Sequence, residues 1–294
     1  MKFTKMHGAG NDFIVVDALK EHYLKDSLTS PDIIKRLCDR YFGIGADGLI
    51  LILPSASCDL RMQILNSDGS EAEMCGNGIR CFAKYAYEHG LIRESALRVE
   101  TLAGVISPEL HLQNGKVISV SVDMGKPKLA RAEIPMTGPA EERAIAFELR
   151  VQENIFQGTA VSMGNPHCVI FTDNLDDIQL ENIGPAIEMH SLFPRKTNVE
   201  FVQVLAPDRL KMMVWERGVG ITLACGTGAC ATLVAAVLNN KAERTADILL
   251  PGGELKICWR DDQHIIMTGP AEEVFSGNLD ISAVECSISG SNNI

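Results

Sequence analysis

The chain has 294 residues, a length that suits two domains of typical size. Its hydrophobic content of 46% and charged content of 22% are ordinary for a soluble globular protein, which argues against a disordered or fibrous chain. The net charge of −11 disfavours nucleic acid or an anionic membrane surface as the main partner. The sequence has no apolar run of about 18 residues and no apolar stretch of signal-peptide length near Met1. We therefore expect a cytoplasmic protein.

The first half of the chain predicts strands followed by one helix. An apolar run over residues 13–16 follows the turn Gly10-Asn11-Asp12, and a peripheral helix is predicted near Pro31–Arg40. Apolar and polar residues alternate from Leu60 to Ile64, as in a half-buried strand. A helix is predicted after Cys75 and ends near Gly90. Its apolar face is formed by Ile79, Phe82, Ala83 and Ala86.

The second half repeats this order. A turn at Gly164–His167 precedes an apolar run over residues 168–171, and a second peripheral helix is predicted near Asn182–Met189. The segment Ala229–Leu238 is apolar nearly all round, which predicts a helix wrapped on all sides. Strands are predicted around residues 257–259 and 264–267. We expect the chain to return to the first half after Gly269-Pro270.

The expected boundaries follow from these elements. One half should comprise residues 1–122 plus 273–286 and carry Cys75. The other should comprise residues 123–272 and carry Cys225. The polar tail, residues 287–294, is expected to be disordered. The resulting fold class is α+β.

A tandem duplication is the strongest internal signal. Cys75-Gly76-Asn77-Gly78 and Cys225-Gly226-Thr227-Gly228 stand 225 − 75 = 150 residues apart. The same offset aligns residues 60–64 with 210–214 and residues 48–52 with 198–202. Each half therefore contains a glycine-asparagine turn, strands, a Cys-Gly-x-Gly element and a helix.

Each of these elements places a thiol at a helix N-terminus. The unused N–H groups there lower the pKa of a thiol and can also hold a carboxylate. Two such thiols on opposite sides of one carbon could remove a proton from one face and return a proton to the other. The alternatives are two buried apolar cysteines or a redox pair. The nine cysteines contain no Cys-x-x-Cys, so no metal site is expected.

Longer motifs resemble the diaminopimelate epimerase family. The chain is similar to it at residues 6–13, at 66–81, at 164–167, at 197–201 and at 216–228. The resemblance covers about residues 1–270. It implies two pseudo-symmetric halves, each a mainly antiparallel strand barrel around a central helix, with the active site in the cleft between them. It also implies a homodimer.

The resemblance further implies an isomerase that converts LL-2,6-diaminopimelate to the meso form, for lysine and peptidoglycan precursor synthesis. No cofactor is implied, and the partner is the small-molecule substrate, not nucleic acid or a membrane. The implied catalytic residues are Cys75, Cys225, His167 and Glu216. The implied substrate-binding residues are Asn11, Asn66, Gly76, Asn77, Asn165, Asn198, Glu216, Arg217, Gly226 and Thr227.

Several of these residues also have a purely structural explanation. Glu216 and Arg217 could form a solvated surface pair, the asparagines could serve turns, and His167 could be a core histidine. Gly48 departs from the pattern, because several family members have glutamine there. Proline racemase-like enzymes share the two-cysteine logic, but their characteristic Gly-His-Gly is replaced here by Gly76-Asn77-Gly78. A pyridoxal-dependent racemase lacks support, since no phosphate-cradling loop with an adjacent lysine is found.

Overall fold

A computed structural model describes residues 1–19 and 28–284. The tail expected to be disordered, residues 287–294, lies outside the described residues. The chain divides into two compact units. One comprises Met1–Val122 with the described residues from Pro270 onward, and the other comprises Asp123–Gly269.

The first unit is built on a mixed sheet of eight strands. They are β1 (Lys2–Gly8), β2 (Asn11–Asp17), β3 (Gly48–Leu53), β4 (Leu60–Asn66), β5 (Glu71–Ala72), β6 (Val99–Thr101), β7 (Gly104–Ile106) and β19 (Glu272–Asn278). Their order in the sheet is β19-β1-β2-β3-β4-β6-β7, with β5 paired to β4. The last of the described strands thus pairs with the first. A hairpin of β8 (Glu109–Gln113) and β9 (Lys116–Asp123) follows β7.

The first cysteine helix, Gly76–Glu88, packs against β1, β2, β3 and β4. It ends where the sequence predicted, because Gly90 adopts a left-handed φ of 73° that terminates the helix. The predicted peripheral helix is also confirmed, over Pro31–Cys38. Its buried residues join the apolar sides of β2 and β3 in one hydrophobic core.

The second unit is also built on a mixed sheet. Its strands are β10 (Phe147–Val151), β11 (Asn154–Ser162), β12 (Pro166–Phe171), β13 (Asn198–Ala206), β14 (Arg209–Glu216), β15 (Gly220–Ile221), β16 (Thr245–Leu250), β17 (Gly253–Trp259) and β18 (Ile265–Gly269). Within the unit they follow the order β10-β11-β12-β13-β14-β16-β17-β18, with β15 paired to β14. A short 3-10 helix covers Leu175–Asp177, and the second predicted peripheral helix forms over Leu180–Glu188.

The second cysteine helix, Gly226–Leu238, contacts strands β11 to β14 and β16 to β18. Strands surround it, as its apolar sequence predicted. Across the described ranges, 1–19 and 28–284, no helix is long and apolar enough to cross a bilayer.

The two units repeat one topology. In both, an antiparallel pair leads to a parallel pair (β2 with β3, and β12 with β13) and then to an antiparallel pair (β3 with β4, and β13 with β14). The cysteine helices also correspond, since 226 − 76 = 150 and 238 − 88 = 150. The duplication seen in the sequence is therefore a duplication of structure.

The two sheet-rich halves and the α+β class are confirmed, but the barrels are not. Both strand orders are open paths, and among the described strands neither sheet closes on itself. Closure requires the outer strands to pair with each other. The first sheet instead has β19 at one edge and β7 at the other.

Candidate active site

Cys75 is the N-cap of the first cysteine helix. Its backbone is extended, and its sulfur accepts a hydrogen bond from the backbone N–H of Gly78 at 3.4 Å. The side chain is half-buried. Cys75 Sγ also lies 3.7 Å from Asn11 Oδ1. An N-cap sulfur next to unused helix N–H groups is well placed to carry negative charge.

Asn11 and Asn77 meet beside this thiol. Asn77 Nδ2 donates to Asn11 Oδ1 at 3.1 Å. The guanidinium of Arg80 donates to Asn77 Oδ1 at 2.9 Å and to the carbonyl of Gly76 at 3.1 Å. Arg80 is fully buried, and its hydrogen bonds to Gly76 and Asn77 hold the first turn of the helix in place. Sequence reasoning missed it, although an arginine within an apolar helix stretch is a signal of a buried polar contact.

A group of charges orients Asn11 from its other side. Asn11 Nδ2 donates to Asp47 Oδ2 at 2.7 Å, and Arg40 bridges Asp47 and Asp12. Lys5 Nζ lies 2.6 Å from Asp12 Oδ2. Burial alone would raise the pKa of Asp12, but hydrogen bonds from Arg40 and Lys5 outweigh burial and lower the pKa to about 2. Asp12 therefore remains ionised and holds Arg40 beside Asp47, and the Asp47 side chain fixes the orientation of the Asn11 amide.

Asn66 lies at the exposed end of β4. Its Nδ2 donates to Ser70 Oγ at 2.9 Å. Asn66 stands opposite Gly48 in the β3–β4 ladder. A Cβ atom at Gly48 would lie 2.7 Å from the carbonyl oxygen of Leu65, so this backbone has no room for a side chain there. The close approach of β4 accounts for the glycine where several family members have glutamine.

Cys225 is the N-cap of the second cysteine helix and is only 5% exposed. Its sulfur lies 3.5 Å from Thr227 Oγ1. Burial raises the pKa of the Cys225 thiol well above its ordinary value, and the negative charges of Glu216 and Glu200 raise it further. Cys225 is therefore a protonated thiol at neutral pH.

Glu216 ends strand β14 next to this thiol. It accepts hydrogen bonds from Thr222 Oγ1, at 2.5 Å, and from Cys225. Burial raises the pKa of Glu216, and these hydrogen bonds offset the rise only in part. A carboxyl group with a raised pKa beside a thiol can exchange a proton with it.

His167 lies behind Cys225 on β12 and is fully buried. Its Nδ1 is 2.7 Å from Glu200 Oε1, and its Nε2 is 3.0 Å from Asn165 Oδ1. Asn165 Nδ2 donates in turn to Thr227 Oγ1 at 3.3 Å. The predicted residues Asn165, His167 and Thr227 therefore form one network that ends at the thiol. Glu200, at the base of the network, was not among the predicted site residues.

Asn198 and Arg217 form a separate pair. Asn198 is buried, donates to the carbonyl of Pro166 at 2.8 Å and accepts from the backbone N–H of Arg217 at 2.9 Å. Both ends of its amide are thus engaged within the unit. Arg217 is exposed and donates through its side chain to the carbonyl of Arg195 at 3.0 Å. Asn198 fixes the backbone from which the Arg217 guanidinium projects.

Each unit therefore gathers several of its predicted residues around one thiol, while Asn66, Asn198 and Arg217 make other contacts. The first brings together Cys75, Gly76, Asn77 and Asn11. The second brings together Cys225, Gly226, Thr227, Asn165, His167 and Glu216. Within residues 1–19 and 28–284, no cluster of three or more His, Cys, Asp or Glu side chains has the arrangement of a metal site.

Comparison with known proteins identifies the family. A family model for diaminopimelate epimerase matches residues 3–130 and 159–274. The chain belongs to the diaminopimelate epimerase family. It is 56% identical over 277 residues to the diaminopimelate epimerase of Pelotomaculum thermopropionicum, covering 94% of this chain and 98% of that one. It is 55% identical over 281 residues to the diaminopimelate epimerase of Heliobacterium modesticaldum, covering 95% and 99%.

Solved structures share the fold at low sequence identity. A phenazine biosynthesis protein of the PhzF family from Bacillus anthracis has a TM-score of 0.66 and 16% identity, covering 95% of this chain and 99% of that one. A hydroxyproline epimerase from Agrobacterium vitis has a TM-score of 0.64 and 14% identity, covering 94% and 91%. At this identity the likeness describes the fold alone.

Proposed function

We propose that this protein converts LL-2,6-diaminopimelate to meso-2,6-diaminopimelate by a two-thiol acid–base mechanism that uses neither pyridoxal phosphate nor a metal. The observation that carries the proposal is the pair of cysteine N-caps, Cys75 and Cys225, at equivalent positions of two similar units. Membership of the diaminopimelate epimerase family supports the choice of substrate.

One thiol removes the α-proton of the substrate and the other returns a proton. An α-proton is weakly acidic, so its removal requires stabilisation of the negative charge that develops on the substrate. The N–H groups that follow each cysteine, at Gly76-Asn77 and Gly226-Thr227, are suited to hold the substrate's α-carboxylate. In one direction of the reaction, Cys75 removes the α-proton from one face of the carbon. Cys225, with its raised pKa, is suited to donate a proton to the opposite face. In the reverse direction the roles are exchanged: Cys225, left as the thiolate, removes the α-proton, and Cys75, which now carries a proton, returns one to the opposite face. Glu216, which is hydrogen-bonded to Cys225, can exchange a proton with this thiol between turnovers.

The remaining predicted residues recognise the substrate. We assign Asn11, Asn66 and Asn165 to its polar groups. At the distal end, Glu216 suits the ammonium group and the fork of Arg217 suits the carboxylate. Asn198 contributes by holding the backbone of Arg217, because both ends of its own amide are already engaged. His167 tunes the second thiol through Asn165.

Each unit supplies one half of the enzyme, so one substrate molecule must engage both thiols. The product serves lysine and peptidoglycan precursor synthesis. We further propose that the enzyme works in the cytoplasm as a homodimer.

Chiral chromatography of LL-diaminopimelate incubated with reduced protein tests the proposed function. The expected result is conversion to the meso form, with no absorbance band of pyridoxal phosphate in the protein spectrum. Parallel incubations with L-proline and trans-4-hydroxy-L-proline should yield no epimer. Conversion of either of these substrates, with none of diaminopimelate, would refute the substrate assignment.

A further inference from the structure

Glu200 is a buried carboxylate that the proposed chemistry does not use. It lies on β13 and is fully buried. One oxygen contacts His167 Nδ1 at 2.7 Å, while Oε2 is buried without a hydrogen-bond partner in the described part of the chain. Burying a carboxylate with one unpaired oxygen opposes folding. The presence of Glu200 therefore indicates a role other than stabilising the fold.

The first unit shows that the fold does not require this carboxylate. In the β2–β3 ladder, Phe13 stands opposite Gly48, and Ile50 follows two positions along. In the β12–β13 ladder, His167 stands opposite Asn198, and Glu200 follows two positions along. Phe13 and Ile50 therefore occupy the places of His167 and Glu200. These equivalent strand positions therefore carry two apolar side chains in the first unit and two ionisable side chains in the second.

The helix N-termini differ accordingly. A Cβ atom placed at Gly78 would meet apolar carbons, Ile64 Cδ1 at 2.9 Å and Ile50 Cδ1 at 3.4 Å. A Cβ atom at the equivalent Gly228 would meet Glu200 Oε1 at 2.8 Å and Cys225 Sγ at 3.2 Å. The carboxylate thus lies directly beneath the turn that carries the second thiol.

We propose that Glu200 is a positioning residue of the second half-site, which acts on Cys225 through His167, Asn165 and Thr227. The carbonyl oxygen of Asn165 faces Nε2 of His167, so this ring nitrogen carries a hydrogen. Glu200 Oε1 lies 2.7 Å from the other ring nitrogen, Nδ1, and holds the ring in this orientation. Asn165 Nδ2 donates to Thr227 Oγ1, which leaves the Thr227 hydroxyl hydrogen to point at the Cys225 sulfur.

This arrangement has two effects on Cys225. The hydrogen-bond chain fixes Asn165 and Thr227 at the place where the substrate carboxylate is proposed to bind. The negative charge of Glu200 favours the protonated thiol. The other titratable groups near Glu200 are His167 and Cys168 on β12, Glu216 on β14 and Cys225 itself. Of these, His167 makes the direct contact with the carboxylate.

The test compares Glu200→Ile, which installs the residue of the first unit, with Glu200→Gln, which keeps a hydrogen-bonding group for His167. The first measurement is the rate of alkylation of Cys225 by iodoacetamide, followed by peptide mass spectrometry across pH. Both variants remove the Glu200 carboxylate, whose negative charge raises the pKa of Cys225, so Cys225 should react about threefold faster or more below its titration midpoint. Cys168, which is fully buried on β12, should remain unreactive. Ile50→Val, at the equivalent position of the first unit, should leave the rate unchanged.

The second measurement is the rate of diaminopimelate epimerisation, and only this arm rests on the proposed function. Glu200→Ile should lower kcat about tenfold, the size expected for a lost hydrogen bond to a charged group, with a smaller change in KM. Glu200→Gln should recover part of this loss. An unchanged Cys225 rate in Glu200→Gln, or a parallel rise at Cys168, would overturn the proposal, even if Glu200→Ile fails to fold. Absence of epimerisation by the wild type would refute the proposed function and leave the alkylation result standing.

Discussion

Asn66 and Glu216 end equivalent strands of the two units. Asn66 is the last residue of β4, Glu216 is the last residue of β14, and 216 − 66 = 150. The first unit thus has a neutral amide where the second has a carboxyl group with a raised pKa. Together with Ile50 and Glu200, this difference makes the surroundings of Cys225 acidic, while the equivalent positions of the first unit are neutral. A reaction that needs one proton donor and one acceptor is served by this asymmetry.

Glu216→Gln should change the pH dependence of stability. Burial raises the folded-state pKa of Glu216 above its ordinary value of 4.5, so ionising this group disfavours the folded state. Below pH 4.5 the free energies of unfolding of the wild type and the variant should differ least. As pH rises through the raised pKa, the wild type should lose stability relative to the variant. Urea unfolding at both ends of this pH range measures the difference. A wild type that becomes more stable relative to the variant as pH rises would contradict the raised pKa of Glu216.

Arg217→Lys should weaken substrate binding far more than it slows catalysis. A guanidinium can hold a carboxylate through two parallel hydrogen bonds, whereas an ammonium cannot. We expect KM for diaminopimelate to rise about tenfold to 100-fold with a smaller change in kcat. Arg209→Lys is the matched control, since Arg209 is an exposed cation of the same unit in a 3.5 Å surface pair with Glu254. Equal effects of the two variants would exclude a specific role for Arg217.

Gly228→Ala should cost more activity than Gly78→Ala. The added methyl group at Gly228 would meet the Glu200 carboxylate and the Cys225 sulfur, whereas at Gly78 it would meet the flexible ends of two isoleucines. Either change should lower the free energy of unfolding by about 1–3 kcal/mol, as overpacking does. Steady-state kinetics and urea unfolding of both variants separate the two effects. Equal activities in the two variants would argue against this difference between the helix N-termini.

Gly48→Gln should destabilise the first unit and gain no substrate contact. Its Cβ atom would lie 2.7 Å from the Leu65 carbonyl oxygen, a backbone atom that cannot move without disturbing the β3–β4 ladder. We expect a loss of about 1–3 kcal/mol in the free energy of unfolding. Gly48→Ala is the control, because it adds only the Cβ atom. An unaltered midpoint for Gly48→Gln, with a lower KM, would show that the strands can separate to admit the side chain.

Much of this architecture could be predicted from the sequence, because helix ends and strand alternation are local signals. Gly90 and Asn240 terminate the cysteine helices with left-handed φ angles of 73° and 55°, at the ends that the sequence indicated. Strand pairing is not local, so the open sheets could not be distinguished from barrels by alternation alone.

The site could be predicted in part, for the same reason. Cys75 and Cys225 stand out because the duplication repeats their motif. Glu200 and Arg80 do not, because their partners His167 and Asn77 are identified only when strands and helix are packed together. Comparing the two halves position by position gives one signal that could have revealed Glu200. At an offset of 150 residues, a charged Glu200 aligns with the apolar Ile50 within matching strands.

The central claim is that one thiol on each side of the α-carbon carries the proton. The most direct measurement is proton NMR of LL-diaminopimelate in D₂O with reduced wild-type protein, Cys75→Ala and Cys225→Ala. The account predicts loss of the α-proton signal and appearance of the meso isomer with wild type, and neither change with either variant. Epimerisation that persists without Cys75 or without Cys225 would contradict it.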